Sequence, residues 1–555
     1  MILFSQIQFL ENAEAWNLAD NNSSWGLSMI DYDNDGLLDI FVTNGFIGLS
    51  QQNYLMHNLG TIFQSVTSQY NLIDFAPTTC ASWGDFDNDG FIDLFTTNGS
   101  ESTGANRLYR FDGNTFSDVS AEYGMSLSDF YNSVSFCNVN GSNFLDIFIL
   151  GTYTTNYLYV GNENSFLNEI VSNPEGTGYT NLFTDISGDN KPELLLANSL
   201  GNLIVYSYSE GEFTNITSEI GLGNVTKVSG LYSSDMDNDG DFDLVFATNL
   251  GNTSSALSIF RNDNGVFLDV TTELGVNISG RGKCVVELDA DKDGLSDFFL
   301  GRWNNTGILL HNLGNSFEIV SDDFSNITSF PISLVAGDVN NNGKQDIYQS
   351  AYQLTGFSSA NLFWENHTES ENHFVKVKLK SEFAYLNSIV KVYTNENTYK
   401  KELRGNDGSF NQIDELFFGI SSDETIEQIG VIWSNANGEE EIFSISPINE
   451  IVILEQNGSV SANSDTIPAS TIKLSAFPNP FNPVVTISFN VPQYSEYEMT
   501  IFNLKGQKIL TNKGVQKSNE TIEFVWNAEK YASGLYFCAV KADNVIEMRK
   551  MILLK

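Results

Sequence analysis

Four of seven related short loops along this chain gather more carboxylates than a solvated turn holds together unaided. The fullest, residues 31–39, 85–93, 235–243 and 289–297, place Asp at positions one, three, five and nine and Gly at position six. In the first, Asp31, Asp33, Asp35 and Asp39 would supply side-chain oxygens, Gly36 the sharp turn, and Leu37 a backbone carbonyl from position seven. The same parts fall to Asp85, Asp87, Asp89, Phe91 and Asp93, and to Asp235, Asp237, Asp239, Asp241 and Asp243. In the sixth loop they fall to Asp289, Asp291, Asp293, Leu295 and Asp297. Hard Ca2+ takes six to eight oxygens at about 2.3–2.6 Å, which is what such a loop can present. Without a cation the clustered charges repel one another, so these four are the strong expected Ca2+ sites.

The other copies are weaker. Loop seven (Asp338, Asn340, Asn342, Lys344, Asp346) has amides at positions three and five. Loop four (Asp185, Ser187, Asp189, Glu193) lacks the Gly and carries Pro192, and loop three keeps only Asp146 and is expected to stay empty. No Glu stands at position twelve of the full copies, so these are strand-flanked loops rather than the helix-loop-helix kind. The expected role of the metal is to pin the loops between strands.

The loops start at residues 31, 85, 138, 185, 235, 289 and 338, a spacing of 47 to 54 residues. A period near fifty signals a propeller or solenoid. Each unit reads as four strands: an apolar one entering the loop, one leaving it (Leu38 to Val42), a third (Asn53-Tyr54-Leu55, Asn106 to Tyr109, Asn156 to Tyr159, Asn361 to Trp364), and a fourth after a Gly turn. Four antiparallel strands per unit make a propeller blade. The seventh unit lacks its fourth strand, and Ile7-Gln8-Phe9-Leu10-Glu11 can supply it, closing the ring and removing an open edge. The expected fold is all-β: a seven-bladed β-propeller (residues 1–366), a small β domain (371–455), a linker (456–472) and a C-terminal immunoglobulin-like β-sandwich (473–555).

The chain has 27 basic and 70 acidic side chains, a net charge of −43 that disfavours nucleic acid and anionic membrane surfaces. Residues 473–555 reverse the trend with 10 basic and 7 acidic, leaving 17 against 63 before them, which points to a separate module. No apolar run reaches the length of a membrane span. The four cysteines lie in different units and read as buried free thiols. Residues 1–6 read either as the tail of an apolar signal segment, truncated by a mis-assigned start, or as an ordinary strand.

The repeated loops and strands resemble the FG-GAP/VCBS repeats of integrin α-subunit propellers and of many secreted bacterial proteins, over about residues 1–366. That resemblance implies a seven-bladed propeller with calcium in several inter-strand loops. Beyond it, Phe374 to Leu379, Arg404-Gly405-Asn406-Asp407-Gly408-Ser409, Phe418-Gly419-Ile420 and Ile432-Trp433 resemble the ASPIC/UnbV domain, departing at Trp433-Ser434-Asn435, where that family usually has Trp-Pro-Ser-Gly. Pro478-Asn479-Pro480, Gly534-Leu535-Tyr536 and the basic last residues resemble the type A C-terminal sorting domain of the type IX secretion system of Bacteroidota. This implies export to the medium or the outer-membrane surface, with the secretion machinery as a partner.

No nucleophile motif, phosphate-cradling loop or zinc spacing is present. His57 and His311 occupy equivalent places, each before Asn-Leu-Gly, and read as turn packing; His367 and His373 bracket a junction. The expected function is therefore a secreted binding or adhesion module for an extracellular protein or glycan, not an enzyme. The alternative is a polysaccharide-active enzyme or its auxiliary subunit.

Overall fold

The structure is a computed structural model. It describes residues 7–45, 51–99, 104–125, 127–152, 154–162, 165–169, 178–198, 200–249, 255–320, 324, 330–352, 360–436, 438–457, 460–463, 475–477, 481–490, 495–503, 508–516, 521–542 and 545–554. Residues 1–6, Pro478-Asn479-Pro480 and most of the expected linker lie outside these. Two compact units are present, Met1–Asn463 and Ser464–Lys555.

The first unit opens with seven small antiparallel sheets. Their first strands are Ser24–Ile30, Thr78–Gly84, Tyr131–Cys137, Thr180–Thr184, Val228–Ser234, Gly282–Leu288 and Pro331–Gly337. Each adjoins the next in order and the seventh adjoins the first, so the cycle closes. All residues of these strands are buried. Burial on both faces explains why they read as continuous small and apolar runs rather than as alternating ones. The outermost strands Phe63–Ser65, Phe116–Asp118 and Phe267–Asp269 bury one aromatic and expose the next two residues.

In the seventh sheet the fourth strand comes from the N-terminal segment. Phe9–Glu11 runs antiparallel to Leu362–Asn366, with Phe9 opposite Asn366 and Glu11 opposite Trp364. The Asn residues that open the third strands fix the preceding connection. Asn53, Asn106, Asn156 and Asn361 accept, through Oδ1, the N–H of Asn44, Asn98, Gly151 and Ala351 at 2.8–2.9 Å.

Residues 373–463 form two further four-stranded sheets. One orders Leu416–Ile420, His373–Lys380, Glu450–Glu455 and Val460–Asn463; the other orders Thr398–Glu402, Ile389–Thr394, Ile426–Ile432 and Glu440–Phe443. Val460–Asn463 lies inside the stretch expected to be linker, because it pairs with Glu450–Glu455. These sheets belong to the first compact unit, and Val375, Val390 and Ile429 share one apolar cluster with Phe136 and Leu145 of the third repeat.

The link continues through residues 404–413, which leave the two sheets and touch all seven first strands. Phe410 O accepts Leu27 N–H at 3.0 Å, and Asn411–Ile413 pairs in parallel with Leu27 to Met29. Gly405 O accepts Ser82 Oγ at 2.7 Å, and Asn406 Nδ2 donates to Val134 O at 3.1 Å. Asp407 bridges to Leu182, and Gly408 O accepts Leu231 N–H at 3.1 Å. Ser409 Oγ donates to Val285 O at 3.2 Å and Asn411 Nδ2 to Leu334 O at 2.6 Å. Phe410 has a left-handed backbone (φ 57°), which a bulky residue adopts only where its surroundings hold it. Its ring packs 5.0 Å from Tyr179 and 6.2 Å from Trp25.

In the second unit, Ser475–Phe477, Val484–Asn490 and Thr521–Asn527 form one sheet. Lys508–Gln516, Ser495–Asn503, Gly534–Ala542 and Val545–Leu553 form the other. Both contribute to one core, with Ile487 and Trp526 from the first and Ile501, Cys538 and Met551 from the second. All four cysteines of the chain are buried and free.

Candidate metal centres

Each acidic loop joins the first and second strands of its sheet, and its own hydrogen bonds fix the turn. The position-one carboxylate accepts the N–H groups of positions five and six: Asp31 from Asp35 and Gly36, Asp85 from Asp89 and Gly90, Asp289 from Asp293 and Gly294, all at 2.9–3.1 Å. Position five accepts the N–H of position seven at 2.9 Å, as Asp35 does from Leu37, Asp89 from Phe91, Asp239 from Asp241, Asp293 from Leu295 and Asn342 from Lys344. Glycine suits position six, where the backbone is left-handed: Gly36, Gly90, Gly240, Gly294 and Gly343 have φ of 78° to 97°.

Position nine does a different job. Asp93 Oδ1 accepts Phe111 N–H from the third strand at 2.8 Å, and Oδ2 accepts Phe86 N–H at 3.1 Å. Asp243 and Asp297 bind Asn262 and Asn312 N–H with one oxygen, and Met236 and Ala290 N–H with the other. Asp146 of loop three does the same for Gly161 and Val139, both at 2.9 Å. This tie explains why Asp survives at position nine in the loop that has lost its other acids.

Loop four keeps the geometry despite its altered sequence. Asp185 accepts Asp189 and Asn190 N–H at 3.1 and 2.9 Å, and Glu193 accepts Ile186 N–H at 3.1 Å. Asn190 (φ 63°) takes the left-handed place expected of Gly. Loop seven repeats the pattern, with Asp338 accepting Asn342 and Gly343 N–H, both at 2.9 Å.

What these bonds leave over suits a cation. Asp33, Asp39, Asp87, Asp235 and Asp346 each retain a buried carboxylate oxygen with no hydrogen-bond partner. Carboxylate oxygens of Asp31, Asp33 and Asp35, of Asp85, Asp87 and Asp93, and of Asp235, Asp237 and Asp239 lie within 4.8 Å of one another. Burial pushes Asp85 up to about 7, with the neighbouring Asp89 and Asp87 charges adding to the effect. It lifts Asp235 to about 7 and Asp243 to about 8 in the same way. Burial holds Asp289 well above the usual range, reinforced by Asp293, Asp297 and Asp291. A divalent ion among these oxygens would relieve both the crowding and the shift. The side chains at position seven point elsewhere: Asp241 accepts Asn264 N–H at 3.0 Å, and Lys344 pairs with Glu369 at 3.0 Å.

The third strands bring residues to the loops that spacing alone does not mark. His57 Nδ1 lies 3.0 Å from Asp39 Oδ1 and 3.5 Å from Asp33 Oδ2, and His311 Nδ1 lies 3.0 Å from Asp297 Oδ1. The two histidines therefore face the acidic loops, which corrects their reading as turn packing. Although burial opposes it, the bond to Asp297 lifts His311 to about 9. The equivalent place holds Arg110, whose charge acts on Asp87, and Arg261, whose charge acts on Asp237. In loop seven it holds Glu365, which accepts Asn340 Nδ2 at 3.4 Å. The only sequence marker is position: each stands immediately before the residue whose N–H bonds to position nine.

That next residue also stitches repeats together. Asn58, Asn262, Asn312 and Asn366 donate Nδ2 to Val339, Ile186, Met236 and Ala290 O in the neighbouring loop at 2.7–3.0 Å. From the other side, residues 373–463 bring lysines to the loops. Lys378 Nζ lies 2.7 Å from Asp31 Oδ2, Lys376 Nζ 3.2 Å from Asp338 Oδ2, and Lys400 Nζ bonds Gly240 O at 2.9 Å.

Residues 31–96, 85–149, 185–246 and 289–348 match the FG-GAP-like repeat, and residues 475–554 match the secretion system C-terminal sorting domain. The tail marks a secreted or cell-surface protein that engages the type IX secretion machinery, and the repeats are of the β-propeller kind. Among the described residues no helix is long and apolar enough to cross a membrane. No curated protein matches the chain. Solved structures similar to it include YCF48 bound to D1 peptide, at 8% identity and a TM-score of 0.40 over 65% of this chain and 96% of that one. The Dos1 propeller is similar at 10% identity and 0.38, over 62% and 93%. PorZ, a surface component of the type-IX secretion system of Porphyromonas gingivalis, is similar at 11% identity and 0.23, over 96% and 82%. At these values the likenesses say nothing of this chain's activity.

Proposed function

We propose that the chain is a secreted or surface-held, calcium-binding, seven-bladed β-propeller that serves as a binding or adhesion module for an extracellular protein or glycan. In this reading residues 371–455 are an ASPIC/UnbV-like domain docked on the loop face, and the sorting tail is an immunoglobulin-like sandwich used for export. The supporting observation is the set of buried carboxylate oxygens left without hydrogen-bond partners in the loops.

Loops one, two, five and six hold Ca2+ through Asp31, Asp33, Asp35 and Asp39 and their equivalents, and loops four and seven hold it more weakly. The metal supplies charge neutralisation and stiffness. The chain's own residues do the rest: position one and position nine shape the turn, the Asn58-type amides join neighbouring blades, and the lysines of residues 373–463 seat that domain on the acidic face. The partner surface is the opposite end of the ring, where half-buried Tyr179, Trp303 and Tyr352 pack against the apolar cluster that contains Phe410. Rings presented in this way suit stacking on a sugar or an apolar side chain.

A glycan and protein array, probed with full chain in Ca2+ and in EDTA, together with a reducing-end assay, tests the reading. Calcium-dependent capture without turnover is expected. Release of reducing ends from any polysaccharide would replace the binding role with an enzymatic one.

A further inference from the structure

The loops are not equivalent in donor chemistry. Loops two and five face an arginine from the third strand and loop seven a glutamate, whereas loops one and six face an imidazole. The ligand atoms of Asp33, Asp39 and His57 lie within 4.8 Å of one another, as do those of Asp291, Asp297 and His311. Asp39 is 1% exposed, yet its Oδ2 has no hydrogen-bond partner. A cation bonded at about 2.1 Å to two adjacent octahedral positions holds those atoms about 3.0 Å apart. In both loops Nδ1 is hydrogen-bonded to the position-nine carboxylate at 3.0 Å, the same spacing, so a cation bound there replaces the proton the two groups share.

We propose that loops one and six are mixed carboxylate–imidazole centres that take a borderline first-row dication such as Mn2+ or Zn2+, with His57 Nδ1 and His311 Nδ1 as ligands. Ca2+ is an oxygen-seeking ion and gains little from imidazole, while borderline metals bind nitrogen and carboxylate together. The third-strand residue before Asn58 and Asn312 thus selects the metal, and the chain carries two kinds of centre on one repeat. This rests on the reading of the loops as metal sites and narrows it: loops one and six accept Ca2+ through their oxygens but prefer the borderline ion where both are present.

Mn2+ titration of metal-free full chain, followed by pulsed EPR for nitrogen coupling, tests the proposal. Two Mn2+ ions should bind at least about tenfold more tightly than the rest and show imidazole 14N modulation. His57→Gln should remove one ion and about half the modulation, and His57→Gln with His311→Gln should remove both while leaving the Ca2+-induced rise in melting temperature in place. If buried His311→Gln fails to fold, the half-exposed His57→Gln alone still decides through the halved signal. Bound Mn2+ without nitrogen modulation, or two tight ions retained by the variants, overturns it. Loss of the calcium response on Asp87→Asn plus Asp237→Asn is a separate readout: its absence sinks the calcium reading of loops two and five and leaves the imidazole result standing.

Discussion

Gln412 closes both ends of the Trp83 main chain: Trp83 N–H donates to its Oε1 at 2.7 Å, and its Nε2 donates to Trp83 O at 2.9 Å. The two residues are 329 apart in sequence. A first strand has no neighbour from its own repeat on its inner side, so its N–H and C=O groups need partners from elsewhere. Residues 404–413 supply them to every sheet in turn, and fasten residues 373–463 to the ring as they do so.

Replacing Gln412 with Leu should leave both Trp83 groups buried and unpaired. A loss of about 2–5 kcal/mol is expected in urea unfolding. Proteolysis should then release residues 373–463 from the ring; an unchanged midpoint would mean that water reaches Trp83.

Positions three and nine should separate in their metal dependence. Asp146→Ala cuts two main-chain ties in a loop lacking other acids, and should cost about 2–4 kcal/mol equally in Ca2+ and in EDTA. Asp87→Asn spares the ties and should lower the melting temperature only in Ca2+.

Chelation should lower the melting temperature by many degrees, since each site filled a hundredfold above its dissociation constant adds about 2.7 kcal/mol. The metal-free protein should also be pH-sensitive. Asp85 and Asp235 near 7 and Asp243 near 8 lie above the unfolded carboxylate value, so the folded state binds more protons and stability is lost as pH rises from about 4 to 8. Saturating Ca2+ should flatten that slope in thermal melts run across the range.

Lys283 is a buried cation set against rings rather than acids. Its Nζ lies 3.8 Å from the Tyr179 ring centroid and bonds the Tyr179 hydroxyl, and burial pushes it down to about 7. The unfolded chain then binds the extra proton between about pH 7 and 10, so stability rises with pH across that window. Lys283→Met should remove this dependence and add about 1–3 kcal/mol at pH 7, as read by urea melts at pH 7 and 9.

The sequence by itself determined what is local and repeated. The acidic turns, the strands beside them, the closing strand at Phe9–Glu11 and the sorting tail are written in neighbouring residues, and seven copies in register outweigh any one degenerate loop. Loop four shows the limit, since Asn190 supplies the left-handed turn that an absent Gly had put in doubt. Only the tertiary structure decided what residues 404–413, His57, His311 and Glu365 do. Their partners lie on other strands or hundreds of residues away, and no period or composition records which strand of a closed ring a side chain will face.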